Sequence, residues 1–129
     1  MDGQAAARAW IDAWHRAWRA LDAEALTAVY AEDAVHHSHP FREPGSPLDY
    51  ARWAFAEESG EPEVWWGEPL VADDRAAVEW WAVVVENDEL TSLAGISWLR
   101  FREDGRVIEQ HDYWGTAPGR TEPWAGWGT

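Results

Sequence analysis

Apolar residues recur at helical spacing through the first twenty positions. Trp10, Ile11, Trp14, Trp18 and Leu21 fall on one side of a helix over residues 4–21, with Arg8, Asp12, Arg16 and Arg19 on the other. Asp22 caps a second helix that runs to Tyr30, with Glu24 in its first turn and Leu26, Val29 and Tyr30 turned inward. Residues 34–41 read as a short strand ended by Pro40. Ser46 and Pro47 start a third helix, which turns Tyr50, Ala51, Ala54 and Phe55 to the core and runs to about Glu58. Strands follow over 64–71, 76–86, 90–102 and 106–115, separated by polar turns short enough for hairpins. This order predicts an α+β domain over residues 1–115: three N-terminal helices packed on a curved antiparallel sheet, enclosing a cone. Residues 116–129 carry Pro118, Pro123, Trp124 and Trp127 and read as an irregular tail, either disordered or folded onto the body or a partner.

Composition narrows this picture. At 129 residues the chain makes one domain and buries roughly two thirds of its unfolded surface. Its 12 tryptophans outnumber 3 phenylalanines and 3 tyrosines, so flat, rigid walls are available for a core or a hydrophobic pocket. A net charge of −14 repels polyanions, which argues against nucleic acid and anionic membranes as partners. No cysteine is present, so disulfides and thiolate chemistry are excluded. Neither a signal peptide nor a membrane span is visible, and a cytoplasmic protein is expected.

The last strand raises the question of chemistry. Alternation sends Ile108, Gln110, Asp112 and Trp114 to one face and Val107, Glu109, His111 and Tyr113 to the other. If the first face is interior, a carboxylate is buried among aromatics, where loss of hydration raises its pKa and suits it to general acid/base work. The alternative is a structural carboxylate bonded to a neighbouring donor. In His36-His37-Ser38-His39, alternation groups His37 with His39 and His36 with Ser38, and a bulge at Pro40 would change the count. A histidine facing Asp112 would pass a proton; the i, i+2 pair would also suit zinc with Asp112 or His111 as third ligand, or lie on the surface. Arg42 would bind an oxyanion at the cavity mouth or pair with a surface acid, and His15 and His111 read as structural.

The helix leading to Ala20-Leu21-Asp22, the run Val29-Tyr30-Ala31-Glu32-Asp33-Ala34-Val35, and the strand pair ending Gly105-Arg106-Val107…Tyr113-Trp114-Gly115 resemble the nuclear transport factor 2-like superfamily. Within it the chain is similar to the SnoaL-like and ketosteroid-isomerase-like branch. The isomerase groups are missing at the matching positions, which hold Trp14, Ser38 or His39, and Ser97. The SnoaL-like polyketide cyclases instead carry a catalytic aspartate on the last strand, and Asp112 matches it. The resemblance therefore implies that the Asp112 face is inner, with Val78, Trp80, Ala82, Val84, Leu93, Gly95, Ser97 and Leu99 also inward. It implies a homodimer through the outer face at Trp81, Val83, Val85 and Trp98.

The functional expectation is a small enzyme of isomerase, cyclase or dehydratase type, acting without cofactor or metal on a hydrophobic small molecule. Asp112 is the acid/base, with His37 or His39 as its partner. Gln110 and Ser97 orient the ligand, and Trp14, Trp18, Tyr30, Phe55, Trp80 and Trp114 wall the cavity. The alternative is a non-catalytic binding or interaction module of the same fold.

Overall fold

The structure is a computed structural model describing residues 1–129. Asp2 accepts from the Ala5 amide at 2.7 Å and opens helix α1 (Gly3–Ala20), which Leu21 closes in the left-handed conformation. Tryptophans spaced four apart form a stripe on α1, with successive ring centroids 6.2 and 6.1 Å apart for Trp10–Trp14 and Trp14–Trp18. The second helical stretch is a 3₁₀ segment, Ala23–Val29, anchored by fully buried Leu26. It is shorter than expected because Tyr30 already begins strand β1 (Tyr30–His37). Tyr30 is held there by two indole donors, Trp10 Nε1 at 3.0 Å and Trp14 Nε1 at 2.8 Å. Residues 38–41, expected in that strand, form a turn closed by the Arg42 amide on His39 O.

Ser46 caps helix α2 (Pro47–Ala56), as its sequence predicts. Strand β2 (Glu58–Trp66) begins directly after it and absorbs the Ser-Gly-Glu-Pro segment as an irregularity between Ser59 and Glu63. The strand expected over 64–71 is therefore two, β2 and the short β3 (Leu70–Ala72). Strands β4 (Arg75–Glu86), β5 (Glu89–Phe101) and β6 (Val107–Pro118) form the expected antiparallel meander. The sheet order is β1-β6-β5-β4-β2, with β3 also on β4. One pairing departs from the antiparallel expectation: β1 lies parallel to β6, with His36 opposite Gln110.

Face assignments follow the expected alternation. Val78, Trp80, Ala82 and Val84 join α1 in a single core, and Ser97 and Leu99 are fully buried beside them. On β6, Gln110 and Asp112 are buried and Trp114 packs against the core. A register shift between Arg100 and Phe101 moves Val107 into the core as well, against simple alternation. Gly95 faces Trp114 so closely that an added Cβ would lie 2.2 Å from Tyr113 O.

The C-terminal tail folds back over the outer sheet face. Strand β6 runs to Pro118, so residues 116–118 belong to the sheet and not to the irregular tail. Beyond it, Thr121 O accepts from Trp81 Nε1 at 2.8 Å, and Trp124 and Trp127 pack edge-on against the Trp81 ring. Arg120 forks onto Glu63 at 3.0 and 2.6 Å. Trp81 and Val83 do lie on the outer face, as read, but are already buried within the single chain. No helix is long and apolar enough to cross a membrane.

Candidate active site

A cavity of about 520 Å³ lies between the helices and the inner sheet face. Its walls include Trp14, Trp18, Phe55, Trp80 and Trp114, and Ser97, Gln110 and Asp112 supply polar atoms from neighbouring strands. Seven of the eight expected lining residues thus meet there. The eighth, Tyr30, sits behind Gln110, and burial pushes its phenol up.

Asp112 is the centre of this polar group. Its Oδ1 accepts from Ser97 Oγ at 2.6 Å and from Gln110 Nε2 at 2.9 Å. Its Oδ2 lies 2.6 Å from His36 Nε2. The roles are fixed by the next shell of donors. Trp80 Nε1 donates to Ser97 Oγ at 3.0 Å, so the serine hydroxyl is free to send its proton to Asp112. Gln110 Oε1 accepts from Tyr30 Oη and from Trp10 Nε1, so its amide nitrogen must face Asp112. Three donors thus converge on one buried carboxylate and replace the water it has lost.

His36 is the histidine in this group, and the expectation that His37 or His39 partners Asp112 is corrected. His37 turns outward onto His111, with ring centroids 5.0 Å apart, and His39 packs against Trp114 and Phe41. The i, i+2 pair therefore shares no ligand with Asp112. The cause is the parallel register, which sets His36 beside Gln110 on the inner face. The apolar neighbour Val35 is 43% exposed while His36 is 2% exposed, so hydrophobicity misleads on this strand. His36 Nδ1 is buried and has no hydrogen-bond partner. A neutral ring with its proton on Nε2 leaves Nδ1 a bare acceptor, whereas a charged ring would bury an unpaired N–H.

Several wall groups escaped the sequence reading. Trp10, Trp53 and Trp66 line the cavity, and so does Tyr50, whose ring meets His36 edge-on at 4.9 Å. Burial, reinforced by the charge of Asp112, pushes the Tyr50 phenol up to about 12, with Arg42 opposing. Glu58 lies in the wall and accepts from Trp18 Nε1 at 2.8 Å. Burial pushes its carboxyl up to about 7 against the pull of that bond, and Glu86 adds to the rise. Glu58 had been read as the end of a helix; only the start of β2 at that residue carries it to the wall. His15 and His111 make structural contacts, His15 accepting from Trp66 Nε1 and His111 bonding Glu109 and stacking on Trp98.

Comparison with known proteins agrees with this architecture. The SnoaL-like domain model matches residues 7–110. No curated protein matches the chain in sequence. Among solved structures, the epoxide hydrolase/cyclase-like enzyme SalBIII, described for pyran ring formation in the polyether salinomycin, superposes with a TM-score of 0.73. That match has 14% identity and covers 89% of this chain and 96% of SalBIII. A conserved protein from Planctomyces limnophilus DSM 3776 gives 0.64 at 18% identity, covering 88% of this chain and 96% of its own. At such identities the likeness is one of fold. With most of its length matched by the family model, the chain belongs to the SnoaL-like domain family of the nuclear transport factor 2-like superfamily.

Proposed function

We propose that the protein is an enzyme that moves protons on a hydrophobic small molecule held in the cavity, with Asp112 as general acid/base. The observation that carries this reading is the Asp112–His36 contact of 2.6 Å, with Asp112 itself lining the cavity. An ionised carboxylate offers about four acceptor positions, and three are occupied by Ser97, Gln110 and His36. The remaining one is available to a substrate C–H or O–H. Asp112 takes that proton and returns it elsewhere on the substrate, which is the common step of isomerisation, cyclisation and dehydration. His36 is a positioning residue: it holds Oδ2 from the side away from the cavity. Tyr50 stays protonated across the neutral range and is suited to donate to a developing oxyanion. No step of this chemistry calls for a cofactor.

SalBIII, described as an epoxide hydrolase/cyclase-like enzyme, shares the fold. A carboxylate oriented by three donors while still lining the cavity is the arrangement that a general base needs. The test uses 2-tetralone, a bicyclic ketone with exchangeable α-protons, in deuterated water. The protein is expected to accelerate α-proton exchange with saturation, and 2-naphthol, which mimics the enol, to block it. Exchange at the buffer rate with every enolisable ketone tried would contradict the proposal.

We further propose a homodimer across the part of the outer face that the tail leaves open. Ile96 and Tyr113 pair in register there, 40% and 52% exposed, beside half-buried Trp98.

A further inference from the structure

The proposed reaction gives no task to Arg42, a residue of the cavity wall. Arg42 is the only basic side chain lining the cavity, and it forms no ion pair although the chain holds 24 acidic residues. The arginine ion pairs of the protein are made by arginines 8, 19, 52, 75, 102, 106 and 120. Instead the Arg42 guanidinium lies 5.6 Å from the Trp53 ring centroid and 5.2 Å from that of Trp114. Two indole rings neutralise none of its charge, but they hold it at the cavity wall, where it remains exposed to an entering ligand. Its hydrogen bond to Ser38 Oγ is long, 3.4 Å from Nη1, and even with the Tyr50 hydroxyl as a second partner most of its donors are unspent. Trp114 is itself pinned by donation from Nε1 to Ser38 O.

The mouth is also polar in one direction. Arg42 follows β1 at one end of the strand order, whereas Glu58 and Glu86 belong to the paired strands β2 and β4 at the other. Both glutamates line the cavity, as does Glu57. An anionic group on a ligand is repelled where those glutamates carry charge and is attracted only at Arg42. A planar carboxylate matches the fork of a guanidinium that lies beside two indole rings and has no acidic partner.

We propose that Arg42 is an anchoring site for a carboxylate carried by the cavity ligand, so that the natural substrates are hydrophobic carboxylic acids bound with the acid at the Trp53–Trp114 end. This rests on the cavity being the ligand site, as the proposed function holds. The carboxylate stays at the mouth and the apolar body enters among the tryptophans toward Asp112. Arg42 thereby sets the direction in which a substrate lies, and with it the carbon presented to the base.

The test compares 2-naphthoate with 2-naphthamide, equal in shape and different in charge, by calorimetry on the full chain. Naphthoate is expected to bind at least tenfold more tightly, and raising the salt concentration is expected to narrow the gap. In Arg42→Gln the two probes are expected to bind alike. Arg42→Lys is expected to restore part of the preference for the acid. Equal binding to the wild-type protein, or a preference that survives in Arg42→Gln, would overturn the anchoring role while leaving the cavity reading intact. If neither probe binds at millimolar concentration, both readings fall together.

Discussion

Asp112 is buried, and its three donors belong to three different strands: Ser97 on β5, Gln110 beside it on β6 and His36 on β1. Removing His36 leaves Oδ2 unpaired in the interior, which costs about 1–3 kcal/mol. His36→Phe is therefore expected to unfold at lower urea concentration, and Asp112→Leu in the same chain to recover part of the loss, because the stranded acceptor is gone. A double-variant stability equal to the sum of the single losses would show that the pair is not coupled. If His36 positions the base, His36→Phe also slows exchange at saturating ketone with little change in its affinity. Glu58 makes a separate claim. Its carboxyl binds a proton more tightly folded than unfolded, so its contribution is full below about 4.5 and is lost as pH rises through about 7. Discounted for its partial exposure, the effect is about 1–2 kcal/mol. Glu58→Gln is expected to flatten the stability profile between pH 5 and 8 by that amount, and a profile matching the wild type would contradict the burial argument.

At the scale of elements, the site depends on register. Helix α1, the third helix and the β4–β6 meander are legible because their apolar periodicities and turn residues are local and agree with one another. Asp112, Gln110 and Ser97 follow from that meander once one face is known to be inner. The first strand is different. Its partner is the last strand, 74 residues on from His36 to Gln110, and the pairing is parallel, so no local signal states which of His36, His37 and His39 turns inward. Tyr30 and Glu58 carry the same lesson: each was read as part of a helix and is the first residue of a strand. Gly95 shows how tightly the β5–β6 pairing is fitted. Gly95→Ala would press a methyl group onto Tyr113 O and the Trp114 side chain, and a loss of about 1–3 kcal/mol or more is expected by urea unfolding. Undiminished stability there would mean that the Trp114 end of the site is looser than its geometry implies.

For the whole molecule, the two sheet faces have different occupants. The inner face carries the cavity and its aromatic walls. The outer face is divided between the chain's own tail at Trp81 and an open aromatic strip at Ile96, Trp98 and Tyr113. The dimer we propose uses that strip and not the expected patch at Trp81 and Val83, which is already buried within the chain. Sedimentation is expected to give a dimer for the wild-type protein and a monomer for Ile96→Glu, whose charge would be buried unpaired. A wild-type monomer at high micromolar concentration would end the dimer proposal without touching the site, because every residue that holds Asp112 comes from one chain.

The central claim is that Asp112 moves the proton, and Asp112→Asn tests it most directly. Asparagine keeps the shape of the side chain and one acceptor oxygen but cannot take up a proton at neutral pH. With 2-tetralone saturating in deuterated water, α-proton exchange in Asp112→Asn is expected to fall by about 10²–10⁴-fold, with 2-naphthol binding within a few-fold of wild type. Equal exchange rates in the two proteins, with the ketone bound alike, would contradict the account.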